Sequence, residues 1–276
     1  MKTILILATT LLPVLTFCQH FDKDFESTNI RYLLVANIQG DIKIKGEDTD
    51  KITIHTKQEY KDKVNNNDAR VAYIQSGDTL ALYIASSCTQ FSLNKSENNG
   101  DNRWGYYHWD QCKEQASLKV DFEITVPDHI YTILSTINDG DITAEKLNAN
   151  IWANNINGAI NLKNVVDISK ACTINGNVDI LFDAVPKNPG SFYTLNGDIN
   201  ASFPKNLNAD VSFKTFQGDF YTNFQHANTL PVEIEKNTKN NGFTYKLGGK
   251  SNIQINSGGV NLDFETFNGN VYLRTI

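Results

Sequence analysis

The sequence predicts an all-β protein, and more specifically a β-solenoid built from strand–turn units about 20 residues long. Three observations predict this class. Helical periodicity is scarce along the 276 residues, apolar and polar residues alternate in several segments, and one strand–turn pattern recurs through the C-terminal half. Alternation with period 2 buries one face of a strand. Recurrence at a near-constant spacing is typical of units that must stack to bury a continuous core.

The clearest strand is expected at Leu118–Val126, where every even position is apolar and every odd position is polar. Pro127 follows directly and should end the strand, because proline cannot donate a hydrogen bond to a sheet. Shorter alternating segments predict two strand–turn–strand units. The first has strands at 42–45 and 52–55 joined by a turn at 46–50, and the second has strands at 71–74 and 80–84 joined by a turn at 76–78.

Residues 131–276 contain the clearest repeats. Each unit has an anchor residue, Asn or Gln, which glycine follows directly except after Asn138, where Asp139 precedes Gly140. The anchors are Asn138, Asn157, Asn175, Asn196, Gln217 and Asn268. The first five anchors are separated by 19, 18, 21 and 21 residues. Threonine or asparagine stands two residues before each anchor, and an apolar residue stands four before it and two after the glycine. Residues 38–42 form a single early copy.

Stacked units would place these matching residues in columns. Asn and Gly are expected at the corner because both tolerate a positive φ. An Asn-Gly turn is also a strong signal for a β-hairpin, so a sandwich of antiparallel hairpins is the alternative. The solenoid is favoured because whole columns recur, whereas hairpins require only the turn.

The N-terminus has the pattern of a secretory signal peptide over residues 1–18, which leaves a single mature β-solenoid domain at 19–276. Lys2 precedes an apolar run from Ile4 to Leu15, and the small residues Thr16 and Cys18 precede Gln19. The run is too short to cross a membrane. We therefore expect an exported protein that is periplasmic, outer-membrane-associated or extracellular. Lipidation at Cys18 is a second interpretation, disfavoured by the bulky residue before it.

The charge balance bears on possible partners. The formal net charge is −6 at pH 7, and no basic stripe is present, which argues against nucleic acid as a partner. No segment after the signal peptide is long and apolar enough to be a transmembrane segment.

A polar and aromatic insertion is expected at residues 86–117. Four aromatic residues within it form a candidate ligand or partner patch: Trp104, Tyr106, Tyr107 and Trp109. Long loops in compact domains are often functional, and exposed aromatic clusters bind sugars, peptides or proteins. The alternative is that this loop covers an open side of the β-structure.

A second candidate is the column of residues that follows the turn glycines, formed by Asp41, Asp141, Asn177, Asp198, Asp219 and Asn270. Carboxylates in a column could bind calcium or act on a polysaccharide. The alternative, that these side chains cap their own turns, is favoured because Asn and Ala159 interrupt the acids. The five histidines lie far apart, so the sequence assigns no catalytic, cofactor-binding or metal-ligating residue and no cofactor.

Residues 136–142, preceded by 122–127 and followed by the later Asn-Gly units, resemble the exported bacterial "putative adhesin" proteins of Bacteroidetes, also called toastrack domains. The resemblance covers nearly the whole mature chain. It implies a right-handed, single-sheeted β-solenoid at the cell envelope with no known catalysis. It transfers no functional residue.

Three functions are therefore considered. The first is a non-enzymatic, adhesin-like binding module of the cell envelope or surface, with a glycan or protein component of the envelope as its partner. The second is a carbohydrate-active β-helix enzyme, a lyase or hydrolase, which would require Asp139, Asp141 and Lys163 to converge. The third is a structural scaffold or an envelope stress-sensing module.

We predict a disulfide between Cys88 and Cys112, which bracket the insertion, and a buried thiol at Cys172, which lies inside a repeat. An exported protein retains disulfides, and closing a loop of this length contributes roughly 3 kcal/mol in the chain-entropy model. Mass mapping of non-reduced peptides checks the pairing. A link that involves Cys172 would refute it.

Overall fold

The protein is all-β throughout the residues that the computed structural model describes, which are 20–60, 69–86, 90–93, 106–107, 118–231, 234–239, 242–247 and 249–276. Its strands form two large mixed sheets and two small two-stranded sheets, and these residues include no helix. In chain order the strands are β1 Lys23–Glu26, β2 Tyr32–Ala36, β3 Ile42–Glu47, β4 Lys51–Tyr60, β5 Arg70–Ser76, β6 Thr79–Ala85, β7 Gln90–Phe91, β8 Tyr106–Tyr107, β9 Leu118–Pro127, β10 Tyr131–Ser135, β11 Ile142–Glu145, β12 Asn150–Asn154, β13 Ile160–Val165, β14 Asp167–Asn175, β15 Val178–Phe182, β16 Gly190–Asn196, β17 Ile199–Phe203, β18 Ala209–Gln217, β19 Phe220–Thr222, β20 Ala227–Leu230, β21 Ile234–Lys239, β22 Gly242–Leu247, β23 Ser251–Ile255, β24 Val260–Asn268 and β25 Val271–Thr275.

The two large sheets are open at both ends. Sheet A has ten strands in the spatial order β1-β4-β9-β3-β11-β13-β15-β17-β25-β19. Sheet B has eleven strands in the order β20-β23-β18-β24-β16-β14-β12-β10-β2-β6-β5. The resemblance to toastrack domains implies a single sheet, and the presence of two large sheets corrects that expectation.

Each sequence repeat places one strand in sheet B and the next strand in sheet A. Among the described residues seven such units occur, numbered by position: unit 1 (β2, β3), unit 2 (β10, β11), unit 3 (β12, β13), unit 4 (β14, β15), unit 5 (β16, β17), unit 6 (β24, β25) and unit 7 (β18, β19). Neighbouring units pair in parallel in both sheets. The strands on either side of an Asn-Gly turn therefore do not pair with each other, which excludes the hairpin alternative for these repeats.

The order of the units differs from their order in the sequence. Gln217 was expected to follow Asn196 in the stack, but Asn268 pairs with Asn196 on one side and with Gln217 on the other. The last unit of the chain is thus inserted between the two units that precede it. Because β23 pairs with β18 on its other edge, over Ala209–Phe213, the returning strand β24 occupies the inner position.

Extra strands cover the unit 1 end of both sheets. In sheet A, β9 pairs in parallel with β3, and β4 and β1 follow in antiparallel pairing. In sheet B, β6 pairs with β2, and β5 forms the predicted antiparallel hairpin with β6. The predicted strand at 118–126 is confirmed. It lies between β3 and β4, so the strands flanking the turn at 46–50 are not neighbours.

The hydrophobic core lies between the two sheets and is built from the predicted columns. The apolar residues four before the anchors point inward, including Phe192 and Phe264, whose rings stack at 4.7 Å. Phe213 is half-buried and stacks on Phe220 at 4.0 Å. Complete burial of one such side chain contributes about 1.5–3 kcal/mol. The prediction that these phenylalanines form a core ladder is confirmed.

Several expectations fall outside the described residues. These are the signal peptide at 1–18, the pair Cys88 and Cys112, and the rings of Trp104 and Trp109. Within the insertion, Gln90–Phe91 and Tyr106–Tyr107 form a two-stranded antiparallel sheet. Cys172 is buried, as expected, and forms no disulfide. In the part of the chain described, no helix is long and apolar enough to span a membrane.

The turn glycines let neighbouring units approach each other closely. A Cβ atom on Gly197 would lie 2.2 Å from the carbonyl oxygen of Gly176, and one on Gly269 would lie 1.9 Å from that of Gly197. These distances are far below van der Waals contact, so only glycine fits. The corner residue that adopts a positive φ is also the glycine, with a φ of 154° at Gly197. In unit 2 the residue with a positive φ is Asp139. The expectation that the anchor asparagines adopt a positive φ was wrong.

We predict that Gly197→Ala lowers the free energy of unfolding by about 3 kcal/mol or more, because the new methyl group forces two backbones apart. Urea denaturation measures the effect. The control is Gly249→Ala, where a Cβ atom meets nothing within 4 Å, and its change should stay within about 0.5 kcal/mol. Equal effects of the two substitutions would contradict the account.

Candidate functional site: the turn edge

The turn edge is the corner at which each unit passes from sheet B to sheet A. It comprises four positions in every unit: the polar residue two before the anchor, the residue directly before the anchor, the anchor itself, and the residue after the glycine. Because the units pair in parallel and in register, each position forms a column along the stack. Seven units at about 4.8 Å per step give columns roughly 29 Å long.

The first column joins the units from inside. The buried hydroxyl of Thr194 donates to the carbonyl oxygen of Gly176 at 2.8 Å. The same bond to the preceding unit's glycine is made by Thr136, Asn155, Thr173, Thr266 and Thr215, at 2.8–3.1 Å. This bond satisfies a buried carbonyl that would otherwise be costly. It explains why threonine recurs two residues before the anchor.

The anchors form a ladder of side-chain amides on the surface. Asn175 donates from Nδ2 to Oδ1 of Asn157 at 2.8 Å, and Asn196 donates in the same way to Asn175 at 2.8 Å. The ladder extends to Asn138 at one end and to Asn268 at the other. The asparagines therefore recur because their amides bond along the stack.

The column after the glycines has a structural role that corrects the sequence interpretation. These side chains do not cap their own turns; in Asp41, Asp141, Asn177, Asp198 and Asn270, Oδ1 accepts the backbone N–H of the equivalent residue in the next unit. Asp41 accepts from Asp141 at 3.0 Å, Asp141 from Ala159 at 2.7 Å, and Asp198 from Asn270 at 2.7 Å. Ala159 has no such acceptor, and the stack continues across it. One bond of this kind is therefore dispensable.

The remaining column is apolar and faces outward, and we call it the ridge. Its members directly precede the anchors: Ile38, Ile137, Ile156, Ile174, Leu195, Phe267 and Phe216. Exposure is greatest in units 6 and 7, where Phe267 is 41% exposed and Phe216 is 68% exposed; Ile174 is 37% exposed, and the other four members are half-buried. The rings of these two residues stack at 4.6 Å with an interplanar angle of 8°. The ridge is thus a partly exposed apolar line beside a ladder of amides, and it is most exposed at Phe267 and Phe216.

The ridge was not among the predicted sites, although the sequence contains a signal for it. Residues two and four before the anchor point to the core. Because side chains alternate across a strand, the residue directly before the anchor must point outward. An apolar residue recurring at an outward position is the signature of an exposed apolar line. By contrast, the side chains of the predicted aromatic patch are not described, so that patch stays a prediction.

The three residues named for a carbohydrate-active site do not converge. Asp139 accepts a hydrogen bond from the side chain of Gln39, and Asp141 accepts one from the backbone N–H of Ala159. Lys163 lies 3.9 Å from Glu145, at the opposite end of the sheet A strands. Four residues of extended strand separate the level of Asp141 from that of Glu145, or about 13 Å.

Cavities formed by the described residues also lie away from the turn edge. One, of about 560 Å³, is at the C-terminal ends of the sheet A strands and is lined by Lys45, Glu47 and Asp128 among others. The hydrogen bond between Lys45 and Glu47 raises the pKa of the lysine and lowers the pKa of the glutamate. Both groups are exposed to solvent. Within the described residues no cluster of three or more metal-ligating side chains occurs.

Another cavity, of about 710 Å³, lies on the outer face of sheet B. Lys250 contacts both carboxylate oxygens of Asp263, at 2.6 and 2.7 Å. Burial lowers the pKa of Lys250, but the hydrogen bond and charge of Asp263 outweigh burial, so that the pKa is raised. Lys250 and Asp263 therefore neutralise each other, and Asp210 is the remaining charged residue of the lining.

Comparison with known proteins finds no matching family model and no matching curated protein. Similar solved structures include a "putative cell adhesion protein" from Clostridium sporogenes, with a TM-score of 0.47 and 10% identity over 94% of this chain and 100% of that one. A "putative adhesin" from Bacteroides fragilis has a TM-score of 0.35 and 12% identity, over 94% and 97%. A "putative lipid binding protein" from Parabacteroides distasonis has a TM-score of 0.25 and 9% identity, over 93% and 96%. The expected resemblance to adhesin-type proteins is confirmed at this low level of identity.

The threonine column generates a matched pair of substitutions. Thr194→Val removes the donor to the carbonyl of Gly176 without changing the side-chain shape, and should cost about 1–3 kcal/mol of unfolding free energy. Thr132 is equally buried, but its Oγ1 has no partner among the described residues. Thr132→Val should therefore be neutral or stabilising. Chemical denaturation of both variants checks this, and equal losses would show that the interunit bond contributes nothing.

Proposed function

We propose that this protein is a non-enzymatic, adhesin-like binding module of the cell envelope or surface. In this proposal the seven units form a single-domain, right-handed β-solenoid, and the turn edge binds an extended glycan or protein component of the envelope. The observation that carries the proposal is the exposed ridge beside the amide ladder, above all the stacked pair Phe216 and Phe267.

The chemistry of the turn edge suits an extended ligand. Columns about 29 Å long repeat the same apolar and amide groups at each step, so a polymer with its own regular repeat can make the same contact many times. Many weak contacts along one chain add up through their high effective concentration.

Rigidity favours binding at this edge. The backbone of each turn is held by interunit hydrogen bonds to glycine carbonyls, and the amides are already aligned by their neighbours. Less conformational entropy is therefore lost on binding than in a mobile loop. Large aromatic rings provide apolar area with few rotatable bonds and are frequent binding hot spots. The two exposed phenylalanines fit that role.

The electrostatics of the edge narrow the ligand class. Asp41, Asp141, Asp198 and Asp219 lie in one column next to the ladder, and Lys43 approaches Asp41 at 3.6 Å. The protein as a whole is acidic, with a net charge of −6. A neutral glycan or a neutral to basic polypeptide is therefore favoured over an anionic polymer.

We predict that the double variant Phe216→Ser with Phe267→Ser binds isolated cell envelopes or arrayed glycans at least tenfold more weakly than the native protein, because a hot-spot aromatic contributes about 2 kcal/mol. The matched control is Tyr32→Ser with Tyr131→Ser, an aromatic pair at 5.4 Å on sheet B. The control should bind as the native protein does.

Thermal melting must show that both double variants remain folded. Native protein that retains no envelope component and no glycan would refute the binding function and favour a scaffold. If both double variants lose binding to the same extent, the binding surface does not lie at the turn edge.

A further inference from the structure

The junctions between units share a set of backbone bonds at the turn, complete in all but unit 2, where Asp139 is inserted before Gly140. The N–H of the turn glycine donates to the anchor carbonyl of the next unit, as from Gly197 to Asn268 at 2.9 Å. The N–H two residues after the glycine donates to the carbonyl of the residue that follows the next glycine, as from Ile199 to Asn270 at 2.9 Å. In return, the glycine carbonyl accepts a threonine hydroxyl, or the Asn155 amide at Gly140, and the side chain after the glycine accepts an N–H except at Ala159.

Unit 7 carries the same groups, but among the described residues no further unit follows it in the stack. Within the described part of the chain, no such bond is formed by the N–H and carbonyl of Gly218, by Oδ1 of Asp219 or by the N–H of Phe220. By the pattern of the other units, the N–H of Phe220 points away from β25. Nearly all of residues 214–222 are exposed or half-exposed, and Tyr221 is 47% exposed. We call residues 214–222 the open edge.

The two ends of the stack are protected unequally. At the unit 1 end, β9 bonds to the turn of Gln39 and Asp41, and the outermost strand β1 carries the charges of Lys23, Asp24 and Glu26. Charged residues on an edge strand discourage pairing with other chains. At the unit 7 end, β23 covers only Ala209–Phe213 of β18. The strand β19, Phe220–Thr222, is uncharged.

We propose that the open edge binds an extended segment of another protein, which adds to sheet A as a strand parallel to β19. The six junctions within the chain define the chemistry of that segment. It carries threonine or asparagine as the hydroxyl or amide donor, then asparagine and glycine at the corner, then Asn or Asp and an alternating apolar strand. This is recognition by strand addition, in which backbone bonds give affinity and side-chain pockets give specificity.

A second copy of this chain is a less suitable occupant. All seven of its units are already built into its own sheets, and its other end presents the charged strand β1. Insertion of unit 6 between units 5 and 7 also shows that a segment need not be adjacent in sequence to fit a junction. A separate polypeptide can therefore meet the same requirement.

The test uses a fluorescent peptide with the sequence of residues 265–275, the part of unit 6 that is in register with residues 214–222, titrated against the full protein by anisotropy. We expect saturable binding. A peptide with the glycine equivalent to Gly269 changed to alanine should bind at least tenfold more weakly, since the corner cannot approach. Asp219→Ala in the protein should weaken binding about tenfold, whereas Asp219→Asn retains the acceptor Oδ1 and should bind as the native protein does.

Both substitutions at Asp219 keep the fold intact, because alanine occupies the equivalent position in unit 3, at Ala159. Asp219 belongs to the turn edge, so the substituted peptide is what separates the two proposals: it leaves the turn edge of the protein unchanged. This inference fails if that peptide binds as well as the native peptide, whereas the proposed function is tested by envelope and glycan binding without any peptide. Three results would overturn the inference: no peptide binding, equal binding by both peptides and all variants, or a dimer of the protein that Asp219→Ala dissociates.

Discussion

The structure depends on the close approach of backbones at the turn glycines. Where Gly140, Gly158, Gly176, Gly197, Gly269 and Gly218 meet the glycine carbonyl of the preceding unit, a single methyl group would separate the units. This approach brings the threonine hydroxyls, the side chains after the glycines and the anchor amides within hydrogen-bonding distance of the next unit. The core columns then align because the turns align. The apolar contacts provide most of the stabilisation, and the glycines determine where those contacts form.

The same constraint separates what the sequence predicts from what it does not. Each column was visible as a recurring residue type, and the inward or outward direction of each column follows from alternation along the strand. The order of the units was not visible, because unit 6 carries the same threonine, anchor and glycine as the others and fits any junction equally well. Its position is decided by β23, which pairs with β18 through a short segment that has no repeat signal of its own.

The role of the acidic column was also beyond the sequence. In the sequence, an aspartate after a glycine is equally consistent with a turn cap, a metal-binding or catalytic residue, or a hydrogen-bond acceptor for the next unit. Only the distance between units decides among these roles. The same distance places the ridge at the surface in a straight line. A fold that repeats its bonds at every step therefore produces a repeating surface, and an end where the bonds have not been completed. The two proposed binding sites, the turn edge and the open edge, are consequences of one interaction.

Hydrogen exchange at the turn glycines of the monomeric protein tests this account most directly. The N–H groups of Gly197 and Gly269 donate across junctions, to Asn268 and Gln217, and should exchange only through large-scale unfolding. The N–H of Gly218 has the same sequence context without a following unit, and should exchange faster by orders of magnitude. Protection of Gly218 equal to that of Gly197, or exchange of Gly197 at the rate of an exposed amide, would contradict the account.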